Sequence, residues 1–219
     1  MHNGRVATTQ IHILALSGTK DRLAVVLRHG RDERAKISRR KRWQGRNDAE
    51  LGGAERARHR AALQAHLREL RHTGDLLDTI PAVVEFGAWM LLEDRGWNHD
   101  WPKLPDEARL PGRWPGSREI GLPERITVKV GAQIADRMRA ACWFTSAKAI
   151  AELHAWRDTH PGKVYDQDLL DEYEELAAQV DTPGDAWRDS LECVLPLPPR
   201  PAPAPAWVLA ERVLKVTES

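Results

Sequence analysis

The chain has 219 residues, 42% of them apolar and 30% charged, which describes a soluble protein long enough to bury a core as one large domain or two small ones. Its two cysteines, Cys142 and Cys193, exclude a disulfide scaffold and a cysteine metal cluster, and its longest nearly apolar run, 80–92, is too short to span a bilayer. The net charge of +1 conceals an asymmetry: residues 1–73 carry 17 Lys and Arg against 7 Asp and Glu, a net of +10, and the remainder carries a net of −9.

A basic end on a near-neutral chain points to an anionic partner, nucleic acid first. The plain alternative is a solvated basic helix docked on the acidic half. Nine tryptophans fit core and interface packing better than base stacking. The first residues, Met1 to Arg5, lack the apolar stretch of a secretory signal, so a cytoplasmic protein with no membrane partner is expected.

In chain order, residues 10–17 read as a strand and Ser17 to Asp21 as a turn. The run Leu23-Ala24-Val25-Val26-Leu27 completes a β-hairpin or, capped by Asp21, begins a helix. Residues 28–46 concentrate cations, most densely at Arg39, Arg40, Lys41 and Arg42, just before Trp43. Such a run neutralises phosphates without reading sequence; otherwise it is an exposed helical face. The spacing predicts a helix over 53–72, on which His59 and His66 lack a carboxylate and make a poor metal site.

Thr79 as a cap, Pro81 in the first turn and Gly96 past the end frame a helix that is apolar nearly all round. It is the expected core helix of a mainly helical N-terminal domain over 1–96. Its mid-helix charge, Glu85, is expected at the surface or paired with an Arg of the preceding helix. Residues 97–124 interleave Trp97, Trp101 and Trp114 with prolines and read as a connection laid over the surface. His99 and Asp100 are adjacent, lack a nucleophile, and make no acid–base pair.

Residues 125–130, Arg-Ile-Thr-Val-Lys-Val, alternate strictly, with Arg125, Thr127 and Lys129 on one face and Ile126, Val128 and Val130 on the other. Gly131 ends the strand. One amphipathic helix follows from Ala132 to about Trp143, and a second opens at Thr145-Ser146 and ends near Asp158.

This strand–helix–helix over 125–160 resembles the ribbon-helix-helix DNA-binding module. The resemblance implies two chains pairing their strands into a ribbon that enters the major groove, and hence a homodimer or higher homo-oligomer. It also implies Arg125, Thr127 and Lys129 on base edges, and Thr145 and Ser146 holding phosphate at the second helix N-terminus, with Arg39, Arg40, Lys41 and Arg42 adding non-specific affinity. Where the family usually places glycine between the helices, this chain has Cys142-Trp143-Phe144-Thr145, which suggests a buried elbow or an extra contact with another domain.

A restriction-type nuclease core needs an acid two residues before a catalytic lysine, and Thr127 holds that place before Lys129. No other catalytic, metal or cofactor motif is present in the sequence. Residues 161–194 read as acidic helices, the second capped by Thr182. If they cover the basic run, it cannot meet DNA. Residues 195–206 form a proline-rich spacer, and the apolar segments after it make 195–219 a docking tail that reaches its own assembly or a protein partner.

The fold class expected is mainly α with minor β: a helical N-terminal domain, a strand–helix–helix module and acidic C-terminal helices. The function expected is a non-enzymatic DNA-binding regulator or accessory factor. The alternative is an interaction subunit that assembles through its Trp-rich loop and Pro-rich tail.

Overall fold

The computed structural model describes residues 7–44, 52–109, 114–117 and 121–197, with the backbone alone for 42–44 and 109. The spacer and tail beyond 197 lie outside the described residues. The elements are β1 (Thr8–Ala15), α1 (Thr19–Gln44), α2 (Gly53–His72), α3 (Ile80–Asp94), a single turn α4 (Asp106–Arg109), β2 (Glu124–Gly131), α5 (Ala132–Thr145), α6 (Ala147–Thr159), α7 (Gln167–Ala178) and α8 (Pro183–Glu192). The fold is thus mainly helical with one small antiparallel sheet.

The N-terminal hairpin does not form. Gly18 turns the chain at φ +84°, a conformation that favours glycine, and the Thr19 N–H returns to the Leu16 carbonyl at 3.2 Å. The run 23–27 then continues as helix α1. Two N–H groups at its start, those of Gly18 and Lys20, donate to the two carboxylate oxygens of Glu124, each at 2.7 Å. A carboxylate at that position satisfies orphan donors and complements the helix dipole. Leu23 and Leu27, one turn apart, are buried, while Val25 faces solvent.

Helix α3 carries the expected signals. The Thr79 hydroxyl accepts the Ala82 N–H at 3.3 Å, Pro81 sits in the first turn, and Gly96 follows the end at φ +66°. Both long faces are buried: Val83, Val84, Ala88 and Leu92 have essentially no exposure. Helix α8 crosses α3 so closely that a Cβ at Gly87 would lie 2.0 Å from the Ser190 carbonyl oxygen. The same core holds Ile13, Ile126, Val128 and Val130 from the sheet and Ile134, Met138 and Cys142 from α5. Burying side chains of this size stabilises by roughly 1.5–3 kcal/mol each. One core therefore draws on β1, α1, α3, β2, α5 and α8.

A second apolar cluster joins α5, α6 and α7 through Trp143, Ile150, Leu153, Ala177 and Val180. At the elbow between α5 and α6, Cys142 and Trp143 are buried, Phe144 is half-buried and Thr145 is exposed; Trp143 meets Trp114 edge-on at 5.6 Å, and Phe144 stacks on Trp101 at 6.0 Å. The Trp-rich connection is pinned in this way, and Trp97 is buried in the main core. Helix α8 begins as the sequence indicated, with the Thr182 hydroxyl accepting the Asp185 N–H at 3.1 Å.

The basic helices join the core at Asp78, whose carboxylate is fully buried. Arg71 of α2 grips it with two bonds of 2.7 and 2.8 Å, and Arg34 of α1 adds a third at 3.2 Å. Burial alone pushes the Asp78 carboxyl up, but the bonds and charge of Arg71, with Arg34, outweigh it and hold it below its ordinary value. Close beside this joint α1 passes the chain backbone, and a Cβ at Gly30 would meet the Leu77 carbonyl oxygen at 2.3 Å.

Candidate nucleic-acid interface

The two strands form a complete ribbon within one chain. They run antiparallel, with Gln10 opposite Lys129, His12 opposite Thr127 and Leu14 opposite Arg125. All six of these side chains are exposed. Ile11, Ile13 and Ala15 of β1 and Ile126, Val128 and Val130 of β2 fall on the other face and pack on α3, α5 and α8. The expected face of Arg125, Thr127 and Lys129 is therefore open, while the partner strand differs from the expectation. The place that the two-chain ribbon assigns to a second copy of β2 is taken by β1 of the same chain.

The physical reason is complementary alternation. β1 offers an apolar row in the same phase as that of β2, so pairing them buries both rows against one core. Hydrogen bonds tie down the two ends of the ribbon. The Ala132 N–H donates to the Ala7 carbonyl at 2.8 Å, and Arg188 Nε of α8 donates to the Leu14 carbonyl at 3.2 Å. Glu85, expected at the surface or beside an arginine, instead accepts the Gly131 N–H at 2.7 Å and ties α3 to the ribbon's end.

On the open face, His12 Nδ1 lies 3.0 Å from Thr127 Oγ1, and Gln10 Nε2 approaches His12 Nε2 at 3.5 Å. Arg125 and Lys129 flank this chain of polar groups. Gln10 and His12 are not among the residues that the sequence singles out. The strand over 10–17 was visible, but nothing local says that it lies beside a strand more than a hundred residues away.

The expected phosphate residues divide. Ser146 is buried, and its hydroxyl accepts the Asp181 N–H at 2.8 Å. The segment entering α8 thus sits over the start of α6, and Ser146 is not free to hold a phosphate. Thr145 is exposed but donates back to the Ala141 carbonyl at 2.7 Å. Arg39, Arg40 and Lys41 are exposed on α1; the side chain of Arg42, like that of Trp43, lies outside the described residues.

Arg56, Arg58, Arg60 and Arg68 add exposed cations on α2. Arg31, Arg34, Ser38 and Arg39 line a groove of about 310 Å³ on α1. The acidic helices do not cover these residues. Helix α7 packs on α6, and among the described residues the ion pair joining the basic end to the acidic one is Arg22–Glu192 at 2.8 Å.

No family model, curated protein or solved structure matches this chain.

Beyond the ribbon, a groove of about 650 Å³ is lined by Thr9, the segment 99–104 and α5 residues including Asp136, Arg137 and Arg139. Its two arginines are committed to structure. Arg137 donates to Asn98 Oδ1 at 2.6 Å and lies over the Trp89 ring at 5.5 Å, and Arg139 donates to the Ala108 carbonyl and lies over Trp114. His99 Nδ1 donates to the Gly96 carbonyl at 3.0 Å rather than pairing with Asp100, whose neighbour is Arg137 at 3.5 Å. Burial pushes the Cys142 thiol up, away from the thiolate a nucleophile needs. No group of three or more potential metal ligands occurs among the described residues, and no described helix is long and apolar enough to cross a membrane.

Proposed function

We propose that this protein binds duplex DNA through the open face of the β1–β2 ribbon and acts as a non-enzymatic regulator or accessory factor in DNA transactions. The observation that carries the reading is that Arg125, Thr127 and Lys129 stay exposed on a paired ribbon whose back is sealed to the core. A major groove about 12 Å wide admits a two-stranded ribbon, and Arg and Lys donate to guanine O6 and N7. The exposed cations of α1 and α2 support it as phosphate contacts of the sequence-independent kind. Since one chain furnishes both strands, the reading does not need a second chain to complete the ribbon.

In the alternative of an assembly subunit, Trp97, Trp101 and Trp114 of the loop pack against their own chain, and the tail beyond 197 lies outside the described residues. The test is equilibrium binding of the native chain and an Arg125→Ala/Lys129→Ala variant to duplex DNA over a series of salt concentrations. The reading expects a steep salt dependence in the native protein and loss of sequence preference in the variant. A native chain with no affinity for DNA at low salt would end it.

A further inference from the structure

The geometry points to a single chain reading a non-palindromic duplex site, with Gln10 and His12 of β1 as specificity-determining residues beside Arg125 and Lys129 of β2. This rests on the DNA-binding reading above and adds to it the symmetry of the target and the identity of half its readers.

A ribbon made of two identical strands has a two-fold axis, and its site is a palindrome to match. Here the two rows on the open face are chemically unequal. β2 presents Arg125, Thr127 and Lys129, two cations and a hydroxyl, whereas β1 presents Gln10, His12 and Leu14, an amide, an imidazole and an apolar side chain. Alternate residues on a strand are about 6.6 Å apart, so three rows cover about 13 Å, close to four base-pair steps of about 3.4 Å. Cross-strand partners lie about 5 Å apart, so Gln10 and Lys129 address neighbouring base edges.

The chemistry of each row selects different bases. The cations of β2 suit guanine O6 and N7. The Gln10 amide matches adenine N6 and N7, and Leu14 suits the thymine methyl. No rotation exchanges these two rows.

The centre of the ribbon is held in place. His12 bonds to Thr127 across the strands at 3.0 Å, and Gln10 approaches the far ring nitrogen at 3.5 Å. With its proton on Nδ1 the ring donates to Thr127 Oγ1, which leaves the Thr127 hydroxyl hydrogen free to donate to a base acceptor. Removing His12 therefore frees both Thr127 and Gln10 from the arrangement in which they face the groove. The rest of the chain lacks a matching symmetry, since α1 and its exposed cations leave from one end of the ribbon, where Glu124 caps the helix.

The experiment selects binding sequences from a random duplex pool with the full chain, then measures chains per duplex on the selected site by sedimentation. The expected result is a motif without two-fold symmetry, bound by one chain. Gln10→Ala and His12→Ala should each weaken the selected site about ten-fold while non-specific affinity stays unchanged. Gln10→Arg should shift the preferred base at one position from adenine toward guanine, which loss of folding cannot imitate. A palindromic motif, two chains per site, or an unchanged preference in the Gln10 and His12 variants overturns this inference and leaves DNA binding standing. Absence of binding by the native chain overturns both.

Discussion

Glu85 Oε1 accepts the backbone N–H of Gly131 at 2.7 Å, so a carboxylate from the central helix holds the residue at which the ribbon becomes α5. Removing the acceptor leaves a half-buried N–H without a partner. Glu85→Ala should destabilise the fold by about 1–3 kcal/mol. Glu85→Gln, whose amide oxygen still accepts, should lose less than half as much. Urea unfolding at constant m reads both.

Asp78 gives a pH signature. Its carboxyl is held below the ordinary carboxylate value by Arg71 and Arg34 in the folded chain and returns to that value on unfolding. The stability it contributes is therefore complete above the ordinary value of about 3.9 and is lost as pH falls through the lower folded value. Asp78→Asn should cost about 3 kcal/mol near neutrality, the low end for a broken buried pair because Arg34 is partly exposed. The gap between native and variant midpoints should narrow as pH falls below about 4.

Ser146 separates a structural role from the phosphate role its position suggests. Its hydroxyl accepts the Asp181 N–H and is buried. Ser146→Ala should lower stability by about 1–2 kcal/mol and leave DNA affinity unchanged. A variant of native stability with weakened DNA binding would restore the phosphate assignment.

For the basic face of α1, replacing Arg39, Arg40 and Lys41 with alanine should flatten the salt dependence of DNA binding. Each lost phosphate contact reduces the slope of log K against log salt by about 0.9. Sequence preference should survive, since these residues are not on the ribbon. The comparison is the salt titration repeated on selected and scrambled duplexes.

Local signals wrote the helices plainly. Thr79, Pro81 and Gly96 bound α3, Thr182 starts α8, and the alternation of 125–130 put Arg125, Thr127 and Lys129 on the open face. The run 23–27 was ambiguous because five apolar residues suit either period. The helix is held by contacts distant in sequence: Glu124 accepts the N–H groups at its start, and Leu23 and Leu27 are buried in the core. Strand pairing was hidden for the same reason. Two alternating segments far apart in sequence carry no mark of being neighbours, so the partner of β2, the role of Gln10 and His12, and the burial of Ser146 under Asp181 all waited on the tertiary fold. The apparent conflict between a basic and an acidic half also dissolves in space, because α7 packs on α6 and leaves Arg39, Arg40 and Lys41 exposed.

The most direct measurement of the central claim is site-specific photocrosslinking to duplex DNA. In a Cys193→Ser background, where the remaining Cys142 is buried, a photoreactive probe is placed at Thr127→Cys, Arg40→Cys or Glu175→Cys. DNA binding by the open face of the ribbon predicts crosslinks to bases from position 127, crosslinks to the DNA from position 40, and none from position 175 on the acidic α7. Crosslinking from position 175 with silence at position 127 would contradict it.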